Sequence, residues 1–264
     1  MNCTIRIAAR LALTLAALAP AALAAQTPPS PPAPADGLTL VVLQGERVLL
    51  DPAEGRIAPA TIVVEGDRIV QVLDGAPREL PADIAERMRH RHVFDAATLL
   101  MPGLIDSHVH LTGNPAPAFW AATVTTPERA TATGVANALK TAQAGFTTVR
   151  DLGAPGGASY ALRDAINAGE VPGPRVLAAG RMLSIVGGHG DLTGFRPQVI
   201  EALDGGNTCT GPVQCAEVVR KMSRAGADVI KFAATGGVLS QQNRGLGQHF
   251  TDEEMVAIVR TAHQ

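Results

Sequence analysis

The 264-residue chain has no surplus of charge of either sign: 22 lysines and arginines face 24 aspartates and glutamates, a net charge of −2. Without a basic excess there is no footprint for a phosphate backbone, which excludes nucleic acid as a partner. Cysteine is scarce, with Cys3, Cys209 and Cys215 the only three. None stands at an export cleavage point, which excludes a lipoprotein. A long apolar run is also missing. The N-terminal stretch 11–23 is too short to cross a bilayer comfortably, and Pro20 interrupts it.

That stretch instead has the layout of a secretory signal. Arg6 and Arg10 precede it, and Ala22-Leu-Ala24 forms an A-x-A cleavage site, so residues 1–24 are expected to be removed. A retained anchor is the alternative. Removal takes away two arginines and no acids, leaving a more acidic chain that is periplasmic or secreted and has no membrane segment. Cys209 and Cys215 would then sit in a compartment that permits disulfides. They flank a Gly-Pro step, and Cys215, Val218, Val219 and Met222 form an i, i+3, i+4, i+7 stripe, so a buried free thiol competes with the disulfide.

Residues 25–37 form a linker, with five prolines between Gln26 and Asp36. Residues 38–100 read as a small β subdomain, in which segments 61–64 and 68–72 flank a turn at Glu65-Gly-Asp67. A charged insert, 79–92, is expected to start a helix near Pro81. It carries His90 and His92 beside Arg89 and Arg91, whose charges repel a cation, so it reads as a solvated face.

Beyond residue 100 strands and helices alternate. Strands are expected at 99–106, 147–151, 175–180 and 228–235. The helices are 127–143 with Thr126 as N-cap, 158–168, 212–225, and a last one opened by the capping box Thr251-Asp-Glu-Glu254 and carrying Met255, Ile258 and Val259. Four β-then-α units imply an α/β fold with a parallel sheet. That sheet can be open or closed; a closed (β/α)₈ barrel of TIM type takes eight such units, and residues 101–264 hold four.

His108 and His110 alternate about Val109 at a strand end, so both imidazoles project to one side, where they can share a metal; otherwise they merely satisfy hydrogen bonds where strand meets loop. Strict alternation adds Leu104 and Asp106 to their face, where the Asp106 carboxylate is expected to accept the second N–H of a ligating ring and so orient it. Lys231 lies in an apolar run on the face of Val229, Ala233 and Thr235. A buried ammonium is costly unless it is salt-bridged or converted by CO2 to a carbamate that can bridge two cations.

The runs MPGLIDSHVHL, GFTTVRDLG, GPRVLAAGRMLSIVGGHGD and GADVIKFAATGGVLS, in that order, resemble the amidohydrolase superfamily, in its branch of Xaa-Pro dipeptidase and imidazolonepropionase-like hydrolases. The resemblance extends over residues 38–264. It implies that His108 and His110 bind the more buried of two divalent metals, zinc by expectation, and that Lys231, as the carbamate, bridges it to the second. It places His189 near the substrate; a loop histidine that holds its glycine turn is the other reading. For Arg150 and Asp151 a buried ion pair competes with a substrate contact. Relatives take two more ligand histidines from the fifth and sixth strands and a catalytic aspartate from the eighth. Those strands lie beyond Gln264, and His249 and His263 are expected at the surface instead.

The expected activity is hydrolysis of a C–N amide bond in a dipeptide, N-acyl amino acid or cyclic amide through a metal-bridging hydroxide. The competing expectation is a catalytically silent half-barrel or binding fragment. A half-barrel that pairs into a homo-oligomer is a third.

Overall fold

In the computed structural model, residues 39–115, 120–237 and 246–264 are described. The signal segment 1–24 and the linker 25–37 lie outside the described residues.

The first part of the chain builds a four-stranded sheet from β1 (Leu40–Asp51), β2 (Arg56–Glu65), β3 (Arg68–Asp74) and β4 (Met88–Phe94), in the order β3-β2-β1-β4. Successive strand residues face opposite sides, so the largely apolar runs 40–43 and 60–64 supply a cluster to each face of this sheet. Leu40, Val42 and Val63 pack against Ile84 of α1 (Ala82–Arg87), and Val48, Ala60 and Ile62 form a second cluster with Leu100. The turn between β2 and β3 falls at Gly66, whose φ of 59° suits a residue without a Cβ.

The charged insert is therefore only half helical, and its second half is β4, paired in parallel with β1. A central arginine makes this strand feasible. Arg91 Nε donates to Gln44 Oε1 at 2.6 Å, and its terminal nitrogens donate to the carbonyls of Arg78 and Pro77. Gln44 is itself buried, with its amide nitrogen donating to Thr61 Oγ1 and the Pro77 carbonyl. His90 and His92, on either side of Arg91, remain exposed.

The second part begins with a three-stranded parallel sheet of β5 (Leu104–Val109), β6 (Phe146–Asp151) and β7 (Arg175–Ala178). A short helix, α2 (Ala121–Val124), precedes α3 (Pro127–Gln143), and α4 (Ala158–Asn167) follows β6. Thr126 Oγ1 accepts the Arg129 N–H and Pro127 takes the first turn, which fixes where α3 starts. One face of the sheet is buried: Val149, Val176 and Ala178 pack with Ala138 of α3 and Leu162 of α4.

The expected fourth strand does not form. Segment 228–235 touches the preceding one at separated points only: Asp228 N–H donates to Ala178 O, and a single parallel bridge joins Leu183 to Phe232. The cause lies in the partner. β7 stops at Ala178, and Gly180, with φ 71°, turns the backbone out of the extended region before Leu183 rejoins it. The chain then forms β8 (Ser184–Ile185), α5 (Pro197–Leu203) and β9 (Thr208–Cys209), of which β8 and β9 pair in parallel. This mixed α/β arrangement ends with α6 (Pro212–Arg224) and α7 (Asp252–Ala262).

The core beneath α6 and α7 gathers Leu183, Cys215, Val218, Val219, Met222, Phe250 and Ile258. Cys209 and Cys215 are joined by a disulfide whose two half-cystines are fully buried. It ties β9 to the first turn of α6. Closing so short a loop contributes about 2 kcal/mol. Replacing both cysteines with serine is expected to lower the unfolding free energy by at least that amount, read as a shift in the urea midpoint; an unchanged midpoint would show that the staple is idle. The loop is held a second time by Glu254, which accepts the Gly211 N–H at 2.6 Å while completing the capping box of α7 with Thr251.

Candidate functional site

His108 lies at the C-terminal end of β5, and His110 follows one residue past it. Opposite β6, Asp106 pairs with Val149 and Val109 with Asp151, so three steps on β5 match two on β6. This is a β-bulge at residues 107–108, a device that re-aims side chains at the edge of a site. The Asp106 carboxylate stabilises it by accepting the His108 N–H at 3.0 Å, and Arg150 Nε donates to the Ser107 carbonyl at 2.9 Å across the strands. The bulge changes the face assignment. Asp106 and Val109 now share the side of the buried Val149 and Asp151, whereas strict alternation would put Asp106 with the histidines.

The two imidazoles remain neighbours, with ring centroids 5.4 Å apart and planes tilted by 59°. His110 Nδ1 lies 3.0 Å from the Gly153 carbonyl oxygen. A carbonyl can only accept, so Nδ1 carries a proton and donates it, which leaves Nε2 as the ring nitrogen available to a ligand. His108 titrates below the ordinary imidazole range. Burial is the first cause, followed by the positive charges of Lys231, His110 and Arg150, while Asp106 opposes them. A neutral ring with a free nitrogen is the form that ligates a metal.

Lys231 is half-buried and sits near enough to His108 for its charge to be felt there. Among the described residues no carboxylate lies within salt-bridge distance of its Nζ, so the ion pair considered for it does not form. Its backbone is fixed by the Leu183 N–H, which donates to the Lys231 carbonyl at 2.8 Å.

Arg150 and Asp151 do not pair either, because adjacent strand residues face opposite ways. Arg150 is exposed, and Asp151 is fully buried. Asp151 accepts the N–H of Leu111 at 2.9 Å through Oδ2 and that of Gly153 at 3.2 Å through Oδ1. Burial pushes its carboxyl above the usual carboxylate range, with those two N–H groups and His110 pulling it back. Asn137 of α3 secures the same loop by donating to the carbonyls of Leu111 and Gly113.

His189 is exposed on a turn at which Asp191 accepts the Gly187 N–H, Ser184 Oγ accepts the Gly190 N–H, and Asn207 donates to the Gly190 carbonyl. An open cavity of about 280 Å³ beside His110 is walled by Gly153, Pro155, Arg181, Met182 and Gly190, the residue after His189. His249 is not a surface residue. Its N–H donates to the Ala234 carbonyl, and the adjacent Thr235–Gln248 bridge lays it against segment 228–235, shielding its ring nitrogens from solvent. His263 is exposed at the C-cap of α7.

The described residues thus assemble two adjacent imidazoles with a lysine nearby. Among them no three His, Cys, Asp or Glu side chains converge to hold a metal ion, so a closed four-ligand structural site is not built from these groups. What the arrangement fits is an open site with two imidazole nitrogen ligands.

Comparison with known proteins bears on this geometry. Residues 99–264 match the sequence model of the Amidohydrolase family. The chain is 29% identical over 229 residues to an ochratoxinase of Aspergillus niger, a match spanning 81% of this chain and 46% of that protein. Among solved structures it is similar to a Xaa-Pro dipeptidase with methionine bound in the active site, at 28% identity and a TM-score of 0.73 over 85% of this chain and 54% of that one. It is also similar to a prolidase complexed with N-methylphosphonate-L-proline, at 31% identity and a TM-score of 0.68 with the same coverage. The chain spans about half the length of the relatives it matches.

Proposed function

The chain belongs to the amidohydrolase family, and from that premise we propose that it is an exported, metal-dependent hydrolase cleaving a C–N amide bond in a dipeptide, N-acyl amino acid or cyclic amide, on the N-terminal half of a (β/α)₈ barrel. The single observation that carries this is the pair of imidazoles at the end of β5, 5.4 Å apart, with His110 held as the Nδ1–H tautomer. The dipeptidase, prolidase and ochratoxinase relatives support the class of bond.

His108 and His110 would hold one divalent cation, zinc by preference for nitrogen ligands. Lys231 would take up CO2: neutral Nζ forms a bond to the carbon and releases one proton to solvent, leaving a carbamate whose two oxygens can face two cations. When bound, such cations lower the pKa of a water into the neutral range and polarise the scissile carbonyl. The chain's own residues do the rest. The bulge held by Asp106 and Arg150 aims His108, the Gly153 carbonyl keeps the His110 proton off Nε2, and Gly153, Pro155 and Met182 wall the cavity where an amide would lie.

The direct test is a panel of dipeptides, N-acyl amino acids and cyclic amides assayed with zinc and again after treatment with a chelator. The expected result is turnover of at least one class with zinc and its loss with the chelator. Turnover that survives chelation would sink the metal reading; zinc binding with no turnover on any substrate would favour a silent binding module.

A further inference from the structure

We infer that Asp151 and Gly153 are positioning residues that set the tautomer and aim of His110, so that the loop after β6, some 40 residues away in sequence, prepares a ligand carried by β5. The inference deepens the proposed metal site and rests on it for its purpose.

Three observations meet here. Asp151 is fully buried, and its two carboxylate oxygens are divided between two stretches of backbone: Oδ2 takes the N–H of Leu111, next to His110, and Oδ1 takes that of Gly153. Burying a carboxylate is costly, and a single-acceptor side chain could satisfy only one of those donors. The Gly153 carbonyl then accepts from His110 Nδ1 at 3.0 Å, while the Leu152 N–H donates to Val109 O at 3.0 Å. Residues 151–153 are thereby stitched to 109–111 on both sides of the ring. Third, a Cβ on Gly153 would stand 2.9 Å from His110 Cε1 and 3.0 Å from Nδ1. Its φ lies outside the left-handed region, so the backbone does not demand glycine; the ring does.

A histidine with no fixed partner in water favours the opposite tautomer, with the proton on Nε2 and the lone pair on Nδ1. Released from Gly153, His110 would offer the nitrogen that points back toward the loop. A partner that fixes the proton of a ligating imidazole changes metal affinity by about 10- to 100-fold.

The test uses the full chain, its Gly153→Ala variant and its Asp151→Asn variant. Asparagine keeps the shape of Asp151 but sets an NH₂ against one of the two N–H donors. Long-range ¹H–¹⁵N spectra of the histidine rings in mildly alkaline solution report the tautomer, and calorimetric titration with Zn²⁺ reports affinity. The wild-type chain should show His110 as Nδ1–H. Both variants should move toward Nε2–H and bind Zn²⁺ about 10- to 100-fold more weakly. Should Asp151→Asn fail to fold, Gly153→Ala decides alone, since an alanine there strains no backbone dihedral. A wild-type ring already in the Nε2–H form, or a Gly153→Ala variant with unchanged tautomer or unchanged Zn²⁺ affinity, would overturn the inference. A wild-type chain that binds no Zn²⁺, yet whose His110 tautomer shifts in the variants, would leave the positioning intact and refute the metal reading instead.

Discussion

Replacing His110 with alanine is expected to lower amide hydrolysis about 1000-fold and to weaken zinc binding, with the melting temperature held within about 2 °C. The two halves of that expectation have separate causes. The ring is exposed, and its hydrogen-bond partner is the Gly153 carbonyl, which can turn to water when the ring is gone; exposed positions of this kind usually change stability by no more than about 0.5 kcal/mol, or about 2 °C in a chain of this size. On the proposed metal site, removing one of the two nitrogen ligands would forfeit the charge stabilisation a cation gives the transition state. That is several kcal/mol, and about 4 kcal/mol corresponds to roughly 1000-fold in rate. His263→Ala is the matched control. It deletes an imidazole that is equally exposed but lies at the C-cap of α7, and it should leave both rate and zinc binding unchanged. Full activity in His110→Ala would dismiss the ligand role.

The features that were legible in the sequence are those with local causes. Helices α3, α6 and α7 begin where Thr126-Pro127, Gly211-Pro212 and Thr251 with Glu254 announce them, because caps act within one turn. The spacing of His108 and His110 is also local, and the rings do lie together. What escaped depends on partners distant in sequence. β4 reads as solvated charge until Arg91 finds Gln44, 47 residues earlier. The bulge that removes Asp106 from the histidines' face arises from its register with β6. Segment 228–235 has the composition of a strand, yet pairing needs a continuous neighbour, and β7 departs at Gly180. Gly153 lies within the quoted motif GFTTVRDLG, but its task is visible only once a ring 43 residues away leans on it.

The largest effect on stability is expected at Phe250, where alanine should remove about 3–5 kcal/mol. Phe250 is 1% exposed and packs edge-on against Phe232 with centroids 5.7 Å apart. It lies where three pieces of chain meet: segment 228–235 through Phe232, the disulfide-linked start of α6 through Cys209 and Cys215, and α7 through Ile258. The disulfide limits how far this core can collapse around a missing ring, so a cavity persists and the cost falls toward the upper end of the range. In a chain of this size the loss amounts to a melting-temperature drop of roughly 10 °C. It should also be local. The sheet β1–β4 has its own clusters around Val42 and Val48, which Phe250 does not join. Amide exchange in Phe250→Ala is therefore expected to accelerate across α6, α7 and the backbone around Lys231, while β1 and β2 keep their protection. Uniform acceleration over both regions would show that the two cores unfold as one. Normal protection around Lys231 would show that Phe232 is held without its aromatic partner, and that the backbone carrying the lysine does not depend on this core.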